Sequence, residues 1–277
     1  MKVDMHIHSN CSDGELSPAT LVEKENAAGL DVIAITDHDN ANGAGQAVAA
    51  TRGKKIKVVA GIELSAYKDD TETHVLAYGI DYDSDAFKAS MFRIQEMREA
   101  RNLKIIDRLY QLGIKIDYDA LKNTYKGEIL GRSHIARQLV AAGICDSVPR
   151  AFDEYLAPNG KAFVSSQRLT PEKAIQLACR YGGVPVLAHP AKLRLNSVKA
   201  EAYVRYLAGL GLKGIEAAYF SHTNVERDFY LYLAKKYDLY VFGGSDFHSE
   251  SYGVSLGSFF EPDERTQNLI ASMAVNV

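Results

Sequence analysis

Two histidines near the start of the chain are separated by one residue, and this spacing suits metal binding. In a β-strand, residues two apart point to the same face, so the imidazoles of His6 and His8 can grip one ion. Imidazole nitrogen and carboxylate oxygen, without thiolate, suit zinc, manganese, iron and similar ions. The pair therefore predicts part of a divalent-metal site.

Other metal-ligand side chains follow apolar runs that predict strands. The run at 31–36 is followed by Asp37, His38 and Asp39, and the run at 57–64 carries Glu63. Six of the eight histidines lie at or just after predicted strand ends: His6, His8, His38, His189, His222 and His248. Reactive groups of parallel α/β folds lie at the carboxyl ends of strands, so we expect these side chains to converge. Carboxylates can bridge two ions, which favours a multinuclear site.

Alternating strands and helices position these groups. Continuous or alternating apolar runs predict seven strands, at 3–8, 31–36, 57–64, 73–80, 184–189, 214–219 and 240–246. Ser17 and Pro18 predict the N-cap and first residue of a helix that Gly29 ends. Repeated strand–helix units predict a parallel sheet, and this number favours a barrel. His74 is an exception among the proposed ligands, because it lies near the start of its predicted strand and not at the carboxyl end.

A charged, helical stretch interrupts this alternation. Apolar residues at mostly three- or four-residue steps predict helix from 84 to 111, with shorter helices at 133–142 and 148–156. The pattern predicts a barrel formed by 1–83 and 166–277, with a mostly helical insertion at 84–165. A second helix of the barrel is expected at 44–52.

Composition excludes several classes of protein. The 277 residues are 47% hydrophobic and carry a net charge of −3, which suits a large core and not the binding of long nucleic acid. Cys11, Cys145 and Cys179 are odd in number and far apart, so neither a disulfide framework nor a structural zinc site is expected. No signal peptide or membrane-spanning segment is predicted, and the expected location is cytoplasmic.

Five motifs together resemble those of the polymerase-and-histidinol-phosphatase (PHP) family. They are His6-Ile7-His8-Ser9 with Asp13-Gly14, then Ile35-Thr36-Asp37-His38-Asp39, Gly61-Ile62-Glu63, Ala188-His189-Pro190 and Gly244-Ser245-Asp246-Phe247-His248. The resemblance covers the chain apart from the helical insertion. It implies an α/β fold, a distorted (β/α)7 barrel related to the amidohydrolases, with metal-dependent phosphoesterase activity.

The resemblance also implies two or three divalent ions. Manganese is favoured, with zinc, iron or magnesium as alternatives. One ion would bind His6, His8, Glu63 and Asp246; a second would share Glu63 and add His74 and His189; a third would use Asp13, His38 and His248. Many family members have histidine where this chain has Asp13, and the acidic ligand favours manganese or magnesium there.

Within the insertion, Arg132, Ser133 and His134 resemble a branch of small nucleotide phosphatases. That branch removes the 3′-phosphate of nucleoside 3′,5′-bisphosphates, and relatives degrade short RNA from its 5′ end. The implied partner is a small phosphorylated nucleotide or short oligonucleotide. Arg132 would grip a second, non-reacting phosphate through two parallel hydrogen bonds, with His134 as a further donor.

Two loops that follow predicted strands offer further contacts for the substrate. His222 follows a strand and could contact phosphate or protonate the leaving oxygen. Lys192 and Arg194, in the loop after His189, are candidates to bind the anion.

Three other functions remain open from the residues alone. The substrate could be another small phosphomonoester, histidinol phosphate included. A barrel that has lost catalysis would lack part of its ligand set, and every motif here is filled. A metal-dependent amidase-type hydrolase would carry a lysine at a strand end, and none of the predicted strand ends has one.

Overall fold

The fold is described from a computed structural model, over residues 1–69, 71–125, 129–165, 169–250 and 253–277. The chain divides into two compact units. One, here called the barrel unit, contains Met1–Lys88 and Leu169–Val277. The other, here called the helical unit, contains Ala89–Arg168. The boundaries that the sequence predicts for the insertion, at residues 83 and 165, stay a prediction.

The barrel unit is built on one mixed sheet whose strands follow chain order. Within the described residues the seven strands are β1 (Val3–Ile7), β2 (Val32–Ile35), β3 (Lys57–Lys68), β4 (Thr71–Tyr78), β5 (Val184–Leu187), β6 (Gly214–Tyr219) and β7 (Tyr240–Gly244). A parallel bridge between Ile7 and Phe247 joins β1 to the residues after β7. The sheet is therefore a nearly closed barrel, as the sequence predicts.

The expectation of a wholly parallel sheet is wrong at β4. This strand pairs antiparallel with both β3 and β5. Only two residues separate Lys68 from Thr71, whereas a parallel pair needs a crossover of a dozen or more residues. The reversal explains the polarity of His74, because the amino end of β4 lies beside the carboxyl end of β5, where Ala188 N–H donates to the His74 carbonyl at 3.1 Å.

Helices cover the outside of the sheet. Those of the barrel unit are α1 (Pro18–Ala28), α2 (Asn42–Ala50), α7 (Pro171–Arg180), α8 (Ser197–Gly209), α9 (Asn224–Lys236) and α10 (Glu264–Met273). The predicted start of α1 is confirmed, because the Ser17 side chain accepts the Thr20 N–H and Pro18 is the first helical residue. Gly29 ends the helix at φ 82°, in the left-handed region.

Apolar side chains fill both faces of the sheet. Inside the barrel, Tyr78 stacks on Phe242 at 4.9 Å between ring centroids, and its hydroxyl donates to the Met5 carbonyl at 2.7 Å. Outside, Ile33 of β2 packs against Leu21 of α1. Each large apolar side chain buried in this way contributes about 1.5–3 kcal/mol. Burial on both faces explains why the strands read as continuous apolar runs.

The helical unit has its own core. The long helix α3 (Asp85–Gln111) starts in the barrel unit, and α4 (Tyr118–Thr124), α5 (Arg132–Ala141), α6 (Val148–Ala151) and a π-helical turn, Phe152–Leu156, follow. Fully or nearly fully buried apolar residues form that core, among them Ile105, Leu109, Leu121, Ile135, Leu139 and Leu156. Among the described residues, no helix is long and apolar enough to cross a membrane.

Close approach of β7 to β1 requires glycine at position 244. A Cβ atom there would lie 2.3 Å from the Cβ of His6 and 2.6 Å from its backbone nitrogen. Such overlaps can be relieved only by moving the backbone that carries His6. The absence of a side chain at Gly244 therefore allows the backbone of His6, the first proposed ligand, to lie at this position in the barrel.

We expect Gly244→Ala to lower the free energy of unfolding by about 1–3 kcal/mol, because overpacking at this position displaces β1. Gly209→Ala is the matched control, since a Cβ at the end of α8 would meet nothing within 4 Å. Chemical denaturation of both variants checks this. Equal stability of the two variants would contradict the role given to Gly244.

Candidate metal centre

A buried carboxylate on β3 lies at the centre of the histidine cluster. Glu63 is 1% exposed. Five imidazoles lie within 3.5 Å of its two oxygens: His6 Nε2, His74 Nδ1 and His189 Nε2 at Oε1, and His8 Nε2 and His38 Nδ1 at Oε2. One carboxylate thus faces two separate sets of nitrogen donors, the arrangement needed to bridge two ions.

His6 and His8 point their ring nitrogens at each other. Their Nε2 atoms are 3.2 Å apart, and Oδ1 of Asp246 lies 3.3 Å and 3.2 Å from them. A cation between these three side chains would receive all three lone pairs, and their donor atoms lie within 4.8 Å of one another. The spacing expected of two residues on one strand face is confirmed.

A further group of donors lies on the other side of His8. Its members are His8, Asp13, His38 and His248, again with donor atoms within 4.8 Å. His248 Nε2 is 3.4 Å from Asp13 Oδ1, and the His8 and His248 rings stack with centroids 4.0 Å apart. Nδ1 of His8 is buried without a hydrogen-bond partner in the described residues. A buried nitrogen of this kind needs a ligand or a water.

His74 and His189 form a third place for an ion beside Glu63. His74 Nδ1 and His189 Nε2 are 3.3 Å apart, and each is 2.9 Å from Glu63 Oε1. The structure therefore brings together all nine side chains that the sequence analysis proposed as ligands, in overlapping groups. Their assignment to particular ions stays a proposal.

Glu216 orients this cluster, and the sequence analysis did not include it. Its carboxylate is fully buried on β6 and lies 3.1 Å and 3.3 Å from His6 Nδ1. It also accepts the His189 N–H at 2.6 Å. A carboxylate behind a ligand histidine fixes the tautomer and the ring orientation. Its position inside the strand, before Ala217 and Ala218, gave no strand-end signal, although an acidic residue in a buried strand is itself one.

Asp246 is held from behind as well. Its Oδ2 accepts the Tyr219 hydroxyl and the Lys192 ammonium, each at 2.8 Å, while Oδ1 faces the histidines. Lys192 also lies 4.9 Å above the Tyr219 ring. One oxygen of Asp246 is therefore held by protein donors, and the other faces the proposed metal position.

The loop that carries Asp13 is tied to β2 by Asp37. Oδ1 of Asp37 accepts the Ser9 N–H at 2.7 Å and the Ser12 hydroxyl at 2.6 Å, and Oδ2 accepts the Ser9 hydroxyl at 2.6 Å. Asp37, with its acceptors used in this way, supports the site and does not contribute a donor to it.

Two of the ligand-type residues have left-handed backbone. His189 has φ 26° and Asp246 has φ 51°, and each lies two residues after the end of its strand, β5 and β7 respectively. Non-glycine residues in this region cost on the order of 1–3 kcal/mol and are retained where the surroundings demand it. The strain turns each side chain from the end of its strand towards the other donors.

Carboxylates with lowered pKa values lie beside imidazoles whose pKa values are raised in some cases and lowered in others. Burial opposes charge on His8, but the hydrogen bonds that its ring donates to the carboxylates of Asp246 and Glu63 raise its pKa to about 10. Burial, followed by the charge of Lys192, lowers the pKa of His189 to about 3, which leaves its lone pair available. In the same way Glu63, despite burial, has a pKa well below its usual value because of the surrounding histidines.

These donors fit divalent ions. They are nitrogen and oxygen atoms without thiolate, which suits zinc, manganese and iron, and the share of carboxylate oxygen suits manganese. The buried nitrogens and the facing lone pairs have no better partner among the described residues than a cation. The donor set is therefore that of a divalent-metal site.

The residues expected to bind substrate lie in both units. Arg132, Ser133 and His134 begin α5 of the helical unit. Arg132 donates to the Leu156 carbonyl at 3.4 Å. His134 is fully buried, and its Nδ1 accepts the Gly131 N–H at 3.0 Å, so Nε2 of the neutral ring is the donor.

The other two lie in the barrel unit. His222 Nδ1 donates to the Ala217 carbonyl at 3.1 Å, which leaves Nε2 with its lone pair, buried and without a hydrogen-bond partner in the described residues. Arg194 is exposed, at φ 53°, directly after a 3-10 turn, Pro190–Leu193. Neither belongs to the groups of metal donors found in the described residues.

We expect Glu216→Gln to weaken divalent-metal binding about 10- to 100-fold while the protein stays folded, because His6 loses the charge that orients it. Metal content after dialysis against a fixed manganese concentration measures the effect. Glu201→Gln, at a half-buried carboxylate that pairs with Lys236 and lies outside the donor groups described above, is the control. Unchanged affinity in Glu216→Gln would contradict the role assigned to this residue.

Comparison with known proteins agrees with this geometry. Residues 4–240 match the family described as the PHP domain. A 5′-3′ exoribonuclease of Haemophilus influenzae is 32% identical over 256 residues, covering 92% of this chain and 93% of that protein. A 3′,5′-nucleoside bisphosphate phosphatase of Chromobacterium violaceum is 29% identical over 259 residues, covering 91% of this chain and 88% of that protein.

A solved structure is also similar over nearly its whole length. An amidohydrolase from Chromobacterium violaceum, with bound sulfate and no metal, has a TM-score of 0.90 and 28% identity, covering 100% of this chain and 98% of that chain. The family match at residues 4–240 includes seven of the nine proposed donors, and the similar structure extends over the remaining two, Asp246 and His248. This chain belongs to the PHP family.

Proposed function

We propose that this protein is a metal-dependent phosphoesterase that removes the 3′-phosphate of nucleoside 3′,5′-bisphosphates and acts on short 5′-phosphorylated RNA. The observation that carries the proposal is the set of overlapping donor groups around Glu63. The names of the two relatives, an exoribonuclease and a bisphosphate phosphatase, give the class of substrate. They do not favour histidinol phosphate.

His6, His8, Glu63 and Asp246 would hold one ion, with His74 and His189 adding a second beside Glu63. Asp13, His38 and His248 would hold a third. Bound divalent ions supply an activated water and a positive charge for the phosphoryl oxygens. Manganese is the proposed ion, because histidine nitrogen and carboxylate oxygen are mixed in every group.

The chain's own side chains then have separate tasks. Lys192, held at Asp246 and half exposed, presents a positive charge to the reacting phosphate. His222, fixed through Nδ1 by the Ala217 carbonyl, has Nε2 available to receive a proton and pass it to the leaving oxygen. Arg194 offers a further cation on the same loop as Lys192.

Recognition of the second phosphate is assigned to α5. Arg132 carries a planar guanidinium suited to two parallel hydrogen bonds with a phosphate, and Ser133 and His134 add donors at the start of the same helix. Binding of this remote phosphate would be used to position the 3′-phosphate for reaction.

With manganese present, we expect phosphate release from adenosine 3′,5′-bisphosphate to exceed that from AMP and from p-nitrophenyl phosphate by at least about 100-fold in kcat/KM, because only the bisphosphate uses both binding sites. Equal or faster turnover of the two simple esters would assign the protein to another phosphomonoester. Loss of all activity after chelation, restored by manganese, is the accompanying control.

Arg132→Ala is expected to raise KM for adenosine 3′,5′-bisphosphate about 10- to 100-fold, because the variant lacks the charge-assisted pair of hydrogen bonds to the second phosphate. Metal content should not change. Arg150→Ala, at an exposed arginine of the helical unit that pairs with Asp146 and Glu154, is the matched control. A variant that kept the full preference for 5′-phosphorylated substrates would show that Arg132 does not bind the second phosphate.

A further inference from the structure

An aromatic pair at the carboxyl end of β6 extends outward from the donor groups. Tyr219 is buried, its hydroxyl donates to Asp246 at 2.8 Å, and its ring lies 5.5 Å from that of His189. The ring of Phe220 packs against Tyr219 with 4.7 Å between centroids. Phe220 is therefore one aromatic ring away from a proposed metal ligand.

Phe220 differs from Tyr219 in being open to solvent. It is 44% exposed. The Tyr219 ring contacts one part of its surface, and the exposed part is available to a flat apolar partner. A nucleobase has this shape and chemistry.

The turn that carries Phe220 is rigid. His222 N–H donates to the Tyr219 carbonyl at 3.0 Å, and the His222 ring donates to the Ala217 carbonyl at 3.1 Å. Directly afterwards, Thr223 and Glu226 form a capping box that fixes the start of α9. The ring of Phe220 is thus presented by a fixed backbone, which lowers the entropy lost when a partner stacks on it.

Charge and aromatic surface follow one another in the order of a nucleotide. Asp246 lies at the metal donors, Lys192 contacts Asp246 and the face of Tyr219, and Phe220 lies beyond Tyr219. In a nucleotide the phosphate is followed by one sugar ring and then by the base. The spacing of one ring between Asp246 and Phe220 matches the spacing of one ribose between phosphate and base.

We propose that Phe220 is the base-stacking residue of this enzyme, and that it increases affinity for any nucleobase without selecting among them. The proposal rests on the nucleotide function proposed above. Stacking uses the π-face that all bases share, so it suits an enzyme that processes nucleotides of every sequence. Phe220 is a specificity residue for nucleotide over sugar phosphate and takes no part in the chemistry.

The test compares Phe220→Ala with the unchanged manganese-loaded enzyme on adenosine 3′,5′-bisphosphate and on its abasic analogue, 1-deoxyribose 3,5-bisphosphate. We expect KM for the nucleotide to rise about 10-fold in the variant and kinetics on the abasic compound to stay the same. Phe220→Tyr should behave as the unchanged enzyme. Calorimetry should show AMP binding weakened about 10-fold and ribose 5-phosphate binding unchanged.

Phe259→Ala is the matched control. Phe259 is 47% exposed, lies under Lys2 near the start of β1, and is not part of the proposed site. Equal losses on both substrates, or no loss on the nucleotide, would overturn the assignment of Phe220 and leave the proposed function standing. Failure of the unchanged enzyme to hydrolyse the nucleotide would overturn the proposed function, and the stacking role with it.

Discussion

The structure depends on one buried carboxylate that is surrounded by imidazoles. Glu63 is almost completely buried, and an uncompensated charge in that position would cost several kcal/mol. Its neighbours must therefore be brought to it from β1, β2, β4 and β5. The reversal of β4 achieves this for His74, and the left-handed backbone of His189 does so at the end of β5. The strands of the barrel are thus arranged so that their histidines surround Glu63.

Around that centre, several donors are supported by a second group. Glu216 holds His6 and the backbone of His189, Asp37 holds the loop before Asp13, and Tyr219 and Lys192 hold Asp246. Donors fixed in this way need little rearrangement when an ion binds, because their ring and carboxylate orientations already converge. The same rigidity continues outward through Tyr219 to Phe220, which connects the geometry of the donors with the choice of substrate.

Most of the barrel could be predicted, because strands buried on both faces read as apolar runs and the ligand types lie at their ends. The pair His6 and His8 is a direct consequence of strand geometry. The antiparallel course of β4 could not be derived from periodicity, which does not depend on strand direction. Glu216 was missed because it lies within a strand, and the turn of Asp246 towards the histidines depends on a backbone conformation that its sequence neighbours do not indicate.

Anomalous diffraction from crystals soaked with manganese would locate the ions relative to Glu63. We expect anomalous peaks on both sides of Glu63, one between His6, His8 and Asp246 and one beside His74 and His189. A chain that bound manganese with no peak within coordination distance of Glu63, about 2.0–2.6 Å, would contradict it. The buried histidine cluster would then be structural, and the phosphoesterase proposal would lose the observation that carries it.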